Sequence, residues 1–411
     1  MEGARRRPRI RWRPEFSSRK CGGHRNDTVV GQSLDMRVAV VTESFLPQVN
    51  GVTNSVCRVL EFLAAEGHQA LVIAPAPGLA AAPADTYAGF PVVSVPGVGL
   101  PGYRDFTVGL PTRRVERILR DFMPDVVHLA SPIALGAAGA RAARRIGVPS
   151  IAVFQTDVAG FARQYGLRGT DTVIWSWLRH IHKQAELTLV PSRSSFDQLR
   201  AQGVPRLAMW RRGVDSERFN PAHRDEVLRE WLLGADREVL VGYVGRLAAD
   251  KRVHLLAHLA DLPKVRLVAV GDGPAATSLR ALIPSAVLPG FLSGEALSAM
   301  YASFDIFVHT GADDTFGQCV QEAMVSGVPV VAPAMGGPLD LVVPDRTGLL
   351  FAPDDTRALR RAVGQLAADP LQRAAFGKAA RQAVVSRSWS AVCGELMEHY
   401  RSAVGPLLLA A

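Results

Sequence analysis

From Met36 onward, short runs rich in valine, isoleucine and leucine alternate with helix-length amphipathic stretches, and the alternation stops and begins again near residue 211. RVAVVTE (37–43), QALVIAP (69–75), DVVHLAS (125–131), SIAVFQT (150–156) and LTLVPS (187–192) read as buried strands, with SVCRVLEFLAAEG (55–67) and IALGAAGARAARRIG (133–147) as helices among them. A run that is apolar on both faces belongs inside a parallel sheet, and parallel neighbours need a crossover. Strand, helix, strand in succession therefore predicts an α/β sheet. REVLVGYVGR (237–246), VRLVAVGDG (265–273), DIFVHTG (305–311) and PVVAPA (329–334) repeat the pattern. Between the two series, RRGVDSERFNPAHR (211–224) breaks the periodicity with Gly, Asp, Asn and Pro, which predicts two doubly wound domains in series. No period of 20–50 residues is present, so a solenoid is excluded.

Ligands of such sheets bind beyond the carboxyl ends of the strands, and two facing sheets make a cleft. VGYVGRLAADKRV delivers Arg246 to a strand tip and Lys251 to the start of the helix expected after it. A guanidinium fork and an ammonium point charge converging there suit a diphosphate leaving group; the plainer reading is a surface ion pair with Asp250. In GADDTFGQCVQEAMVSGVPVVA (311–332), Asp314 and Glu322 bracket a helix start. They are either a loop acid near a sugar and a second acid one turn along, or an N-cap and a solvated helical acid. In FLPQVNGVTNSV (45–56), Asn50 and Gly51 precede a helix whose amino end can take a phosphate, although one glycine in such a loop often only permits a turn. GxGxxG is absent from this loop, which argues against a nicotinamide enzyme.

Composition removes further classes. With 411 residues, 48% hydrophobic, the chain is long enough for two cored domains, and its four cysteines lack the spacing of a zinc site or a disulfide framework. A reducing cytoplasm is the expected compartment. Of the net +9, more than half sits in residues 1–35, a stretch with nine basic residues in its first 25 positions and little apolar periodicity. It reads as a disordered basic extension ahead of a natural start at Met36, without the apolar segment of a signal peptide. That tail is the sole feature favouring a nucleic-acid partner, and none is expected. No window of 18 apolar residues exists to span a bilayer. Asp313 and Asp314 are adjacent rather than spaced as ligands, and His180 and His182 are expected on a helix surface or partly buried, so no metal is expected.

Taken together, ESFLPQVNGV, GRLAADKRV, GDGP, DDTFGQCVQEAMVSGVPVVAP, GGPLDLV and RTGLLF resemble the retaining glycosyltransferases of family four, over Met36 to roughly Tyr400. The resemblance implies the α/β GT-B fold, two Rossmann-like doubly wound domains facing each other across a cleft. Within that family, TESFLPQVNGVTNSV, VVHLASP, FQTDVAGFARQYG and RRGVD are similar to actinobacterial GDP-mannose-dependent α-mannosyltransferases that build phosphatidylinositol mannosides and related lipid-anchored mannans. It implies GDP-mannose as donor substrate with no separate cofactor, and a membrane glycolipid, foremost a phosphatidylinositol mannoside, as acceptor. Residues 36–210 would bind the acceptor, 211–388 the nucleotide sugar, and 389–411 would be a terminal helix packing back on the first domain. By the same resemblance Arg246 and Lys251 hold the donor diphosphate and Glu322 the ribose hydroxyls. Asp314 takes the place of the first acid in the family's glutamate, seven residues, glutamate motif, near the donor sugar, with backbone contacts from Phe316, Gly317 and Gln318. Gly51, beside Asn50, backs the diphosphate, and the base lies against Gly290 and Phe291 in the loop after VLPGF. The alternatives are glucuronosyl diacylglycerol as acceptor, another nucleotide sugar as donor, or a sugar-nucleotide binder without catalysis.

Two departures from the family pattern stand out. The first acid is an aspartate, shorter by a methylene. Where many relatives carry a histidine after the fourth strand, this chain has FQTD: Gln155 takes the position and Asp157 follows two residues on. A glutamine can hydrogen-bond but cannot act as a base at neutral pH. Front-face substitution asks little of a separate base, because the departing phosphate can take the acceptor's proton, and leaving-group stabilisation by Arg246 and Lys251 then dominates. Asp314, Gln155 and Asp157 complete the expected catalytic set. RRVERILRDF (113–122) and RAARRIG (141–147) either lie on an anionic membrane surface or are solvated helix faces. Trp175 and Trp177 are either core or a membrane-edge pair. The expected location is the cytoplasm, peripherally attached to the inner face of the cell membrane.

Overall fold

The computed structural model describes residues 35–76, 84–100, 103–110, 112–160 and 171–408. Apart from Asp35, the basic extension lies outside the described residues. The first lobe holds a sheet of β1 (Arg37–Thr42), β2 (Gln69–Pro75), β3 (Thr86–Tyr87), β4 (Phe90–Val95), β7 (Val126–Ala130), β8 (Ser150–Val153), β9 (Leu187–Val190) and β10 (Leu207–Met209). They run in the order β3-β4-β2-β1-β7-β8-β9-β10, parallel except for β3. β5 (Gly97–Leu100) and β6 (Tyr103–Gly109) pair separately as an antiparallel hairpin. The second lobe carries β11 (Val239–Val244), β12 (Val265–Val270), β13 (Val287–Gly290), β14 (Ile306–Val308), β15 (Val330–Pro333) and β16 (Gly348–Phe351), all parallel, in the order β13-β12-β11-β14-β15-β16.

The inner strands are those legible as apolar runs, because both of their faces are covered. Strands β3 to β6, β10, β13 and β16 have no counterpart in the sequence reading; all but β4 are short or sit at sheet edges, and β4, though flanked by β2 and β3, is only half-buried along most of its length. The expected strands also overran their true ends. SIAVFQT stops at Val153; Phe154 packs into a core cluster, and Gln155 and Thr156 continue as loop.

Helix α1 (Gly51–Ala65) buries Val56, Val59, Leu60 and Leu63 against one face of the first sheet. On the other face lie α2 (Arg113–Phe122) and α3 (Leu135–Ile146). The helix Trp389–Leu408 leaves the second lobe and packs on the first sheet beside α1, contributing Val392, Leu396, Met397, Tyr400 and Val404 to that core. Two buried polar contacts fasten it: the Tyr400 hydroxyl lies 2.6 Å from His128 Nδ1, and Trp210 Nε1 donates to Val392 O at 2.9 Å. Burial holds His128 neutral, with a pKa pushed down to about 3. The chain thus crosses between lobes twice, and the crossings touch where Val214 N donates to Arg387 O at 2.9 Å.

The tryptophan pair is split. Trp175 is core, packed with Phe154 and Leu178, whereas Trp177 is 41% exposed and donates its Nε1 to Ile133 O. The histidines are split as well, against expectation. His180 is exposed, but His182 is fully buried and bonded to Thr188 Oγ1 at 3.0 Å, because its position on the helix Asp171–His182 faces β9.

Candidate functional site

In the second sheet the strand order reverses between β11 and β14, and a crevice opens beyond the carboxyl ends of strands at such a switch point. Arg246 and Lys251 follow β11; His309 and Asp314 follow β14. Lys251 is not at the start of an α-helix as expected. It ends a short 3-10 turn, Ala249–Lys251, and Arg252 in the left-handed region separates that turn from a second one, Val253–Leu259. The backbone there is pinned by Thr310 Oγ1, which donates to Lys251 O at 2.6 Å. Gly271, at φ +133°, passes so close to the β11 turn that a Cβ would lie 1.9 Å from Gly245 O, so only glycine lets the two strand ends meet.

The ionisable groups form one chain of contacts. Arg246 Nη2 bonds Asp250 Oδ1 at 2.5 Å, Lys251 Nζ lies 3.9 Å from Asp250 Oδ2, and Lys251 Nζ bonds Asp314 Oδ1. Asp314 Oδ2 is 3.0 Å from His309 Nε2, and His309 Nδ1 is 3.5 Å from Cys319 Sγ. The Arg246–Asp250 pair of the plainer sequence reading does exist, but it is part-buried in the cleft and belongs to this network rather than to the outer surface. Burial by itself would raise the pKa of Asp314; Lys251 and His309 outweigh it and hold the carboxyl well below its usual range. Burial would likewise lower Lys251, yet Asp314 and Asp250 together raise it. His309 behaves the same way: burial lowers it, Cys319 and Asp314 against its two nitrogens more than offset that, and the pKa rises to about 10. Arg246, Lys251 and an imidazolium outnumber Asp250 and Asp314, so the crevice wall is net positive, as a diphosphate site requires.

The helix Gln318–Val325 has Gly317 as its N-cap, so Asp314 is not a capping acid. Nor is Glu322 solvated: it is half-buried and accepts from the Tyr301 hydroxyl at 2.9 Å. Burial pushes its pKa up to about 7, against the Tyr301 hydrogen bond and the Arg218 charge. Phe316 is buried in the core, and the Gln318 side chain turns away to Gly213 O at 3.2 Å. Gly337 carries the loop, since a Cβ there would lie 2.1 Å from Phe316 O while its N–H donates to Asp314 O at 2.8 Å. Gly290 ends β13 and accepts from Gly271 N; Phe291 follows and is 63% exposed.

The first lobe supplies different groups. Asn50 caps α1, accepting from the N–H groups of Val52 and Thr53 at 3.0 Å and donating to Ser44 Oγ at 2.7 Å, so its side chain is committed to the helix rather than left for a ligand. Gly51 stands next to it with open space where a side chain would be. Gln155 is buried; its Oε1 accepts from Arg212 Nη2 at 2.9 Å and its backbone oxygen from Thr315 Oγ1 of the second lobe at 3.0 Å. Asp157 is hydrogen-bonded through both carboxylate oxygens. Its Oδ1 accepts from Gly160 N at 2.9 Å and its Oδ2 from Gln198 Nε2 at 3.1 Å, which closes a turn.

The fold therefore brings Arg246, Lys251, Asp314 and Glu322 to one rim of the cleft and Gly51 and Gln155 to the other, while Asn50 and Asp157 do local structural work. Sequence reasoning missed His309, Tyr301 and Arg212. The signal for His309 was a polar residue ending the apolar run IFVHTG; Arg212 and Tyr301 sit in segments whose spacing says nothing about where they point.

Comparison with known proteins agrees with this layout. Residues 49–218 match the family described as Glycosyltransferase Family 4 and residues 226–383 the one described as Glycosyl transferases group 1. A GDP-mannose-dependent alpha-mannosyltransferase of Mycolicibacterium smegmatis is 51% identical over 373 residues, 90% of this chain and 98% of that one. Among solved structures, sucrose-phosphate synthase from Thermosynechococcus elongatus superposes with a TM-score of 0.74 at 20% identity, covering 92% of this chain and all of that one. Anabaena HepE in complex with UDP superposes with a TM-score of 0.72 at 18% identity, covering 89% and 100%. The fold is GT-B, with two Rossmann-like parallel-sheet lobes.

Proposed function

We propose that this chain, which belongs to glycosyltransferase family 4, transfers mannose from GDP-mannose to a glycolipid hydroxyl with retention of configuration. The observation that carries the reading is the cationic network at the β11–β14 switch point, set across the cleft from Gly51 and Gln155. Arg246 and Lys251 neutralise the diphosphate as the bond from the sugar's anomeric carbon to the phosphate oxygen breaks. Asp314, held ionised by Lys251 and His309, accepts hydrogen bonds from donor sugar hydroxyls. Glu322 takes the ribose hydroxyls, and the exposed Phe291 ring offers a face to the base. Asp157, two residues from Gln155, is already bonded through both oxygens, so the acceptor's proton passes to the departing phosphate oxygen.

The acceptor reading rests on the outer face of the first lobe. Arg113, Arg114 and Arg117 of α2 and Arg141 and Arg144 of α3 are exposed, while Glu116 pairs with Arg120 and Arg145. Exposed Met123 follows α2, and Trp177 lies near the start of α3. Such a surface fits anionic headgroups, at about 1 kcal/mol per arginine near the lipid. No described helix is long and apolar enough to cross a membrane, so attachment would be peripheral. The phosphatidylinositol mannosides are the acceptor class this reading favours. The test is incubation with labelled GDP-mannose or UDP-glucose and a panel including phosphatidylinositol, its mannosides and glucuronosyl diacylglycerol, with products read by mass spectrometry. Mannose is expected on an inositol lipid. Transfer from UDP-glucose in preference to GDP-mannose, or no labelled lipid from any acceptor, overturns the reading.

A further inference from the structure

Arg212 lies at the first crossing between the lobes, is 6% exposed, and among the described residues bonds only uncharged oxygens through its side chain. Its backbone belongs to the second lobe's contacts: Gln321 Nε2 donates to Arg212 O at 3.1 Å and Gln318 Nε2 to Gly213 O at 3.2 Å. Its side chain reaches into the first lobe, where Nη2 donates to Gln155 Oε1 at 2.9 Å and Nη1 approaches Gly51 O at 3.4 Å. Burial lowers the guanidinium to about 10, which leaves it charged at neutral pH. Because a guanidinium only donates, the oxygen end of the Gln155 amide has to face it. The NH2 end is then left buried with no hydrogen-bond partner. Gln155 stands beyond the carboxyl end of β8 and is bonded through its backbone oxygen to Thr315, the neighbour of Asp314, so this orphan donor belongs to the cleft wall opposite the Asp314 loop.

We propose that Arg212 is a positioning residue that locks the Gln155 amide so that its Nε2 donates to an oxygen of the glycosyl part of the bound nucleotide sugar. The inference rests on the donor reading above and adds to it a residue from the hinge. A buried amide with its donor end unmet is satisfied when such an oxygen arrives, and a site built this way discriminates against ligands lacking it. Since Arg212 is tied to both lobes, the orientation of Gln155 also depends on the crossing keeping its geometry.

The test compares calorimetric binding of GDP-mannose with that of GDP, together with kcat and thermal stability, in Gln155→Glu, Gln155→Ala, Arg212→Met, Arg212→Lys and the double variant Gln155→Ala/Arg212→Met. Gln155→Glu is isosteric and pairs with Arg212, so it is expected to melt no lower than the parent while offering only acceptors. GDP affinity should stay within about twofold in all variants, whereas GDP-mannose affinity should fall roughly tenfold in both Gln155 variants and in Arg212→Met. The double variant should lose no more than either single one, and Arg212→Lys, which keeps one donor, should recover part of the loss. Undiminished GDP-mannose binding in Gln155→Glu, additive losses in the double variant, or an equal fall in GDP binding would each overturn the inference alone. If the parent protein itself binds GDP-mannose no better than GDP, the donor reading fails and this inference falls with it.

Discussion

Where β11 and β14 diverge in the second lobe, Arg246, Asp250, Lys251, Asp314 and His309 touch in sequence; where β1 and β7 diverge in the first, the cleft is lined by Gly51, the capped end of α1 and the Gln155 amide. Both crevices come from the same sheet topology, so the difference is in what each must bind. On the proposed reading a diphosphate needs charge held in place before it arrives, and the second lobe sets Arg246, Lys251 and His309 each against a carboxylate. An acceptor hydroxyl, on the same reading, needs room, and the first lobe has open space beside Gly51 and carries exposed arginines on α2 and α3.

Lys251→Ala is the severest way to break this contrast. It should lower kcat about a thousandfold, roughly 4 kcal/mol of barrier, with little change in melting temperature, because Asp314 keeps His309 as a partner. Wild-type turnover in that variant would end the electrostatic account of the second lobe. A disruption of comparable care on the first lobe acts on stability instead. Tyr400→Phe strands His128 Nδ1 in the core and should cost about 1–3 kcal/mol in denaturant unfolding while leaving kcat of the folded fraction near normal. The smallest effect sharpens the comparison by pH. The folded-state pKa of His309, about 10, lies above its usual 6.5, so its stabilising contribution is complete below pH 6.5 and fades as pH climbs through 10. His309→Gln should therefore be less stable than the parent at pH 6, and the gap in melting temperature should narrow steadily toward pH 10. A gap independent of pH would show that His309 is neutral in the native protein.

The second-lobe site was more legible than the first because strand tips are addressable in a sequence: an apolar run ends, and the residues after it face the crevice. Arg246 was placed in that way and Lys251 and Asp314 near the helix starts that follow, and the structure sets all three in one chain of contacts. Asn50, expected from its loop ahead of a helix, and Asp157, expected from its place beside the family's histidine position, bond α1 and Gly160 and Gln198 respectively, since short polar side chains at strand ends also satisfy loose backbone groups. Arg212 was invisible, because its importance lies in a side chain that leaves one lobe to orient a residue 57 positions earlier in the other.

Alternation of apolar runs with amphipathic helices, by itself, determined two parallel-sheet domains and the loops from which a cleft is built, because burial of a strand on both faces is a local constraint written in consecutive residues. Only the tertiary structure decided which cation meets which acid, that the last helix returns to the first lobe, and which end of the Gln155 amide is left unmatched. Those outcomes depend on distances between residues tens to hundreds of positions apart, and such distances exist only once both sheets are packed and the chain has crossed between them twice.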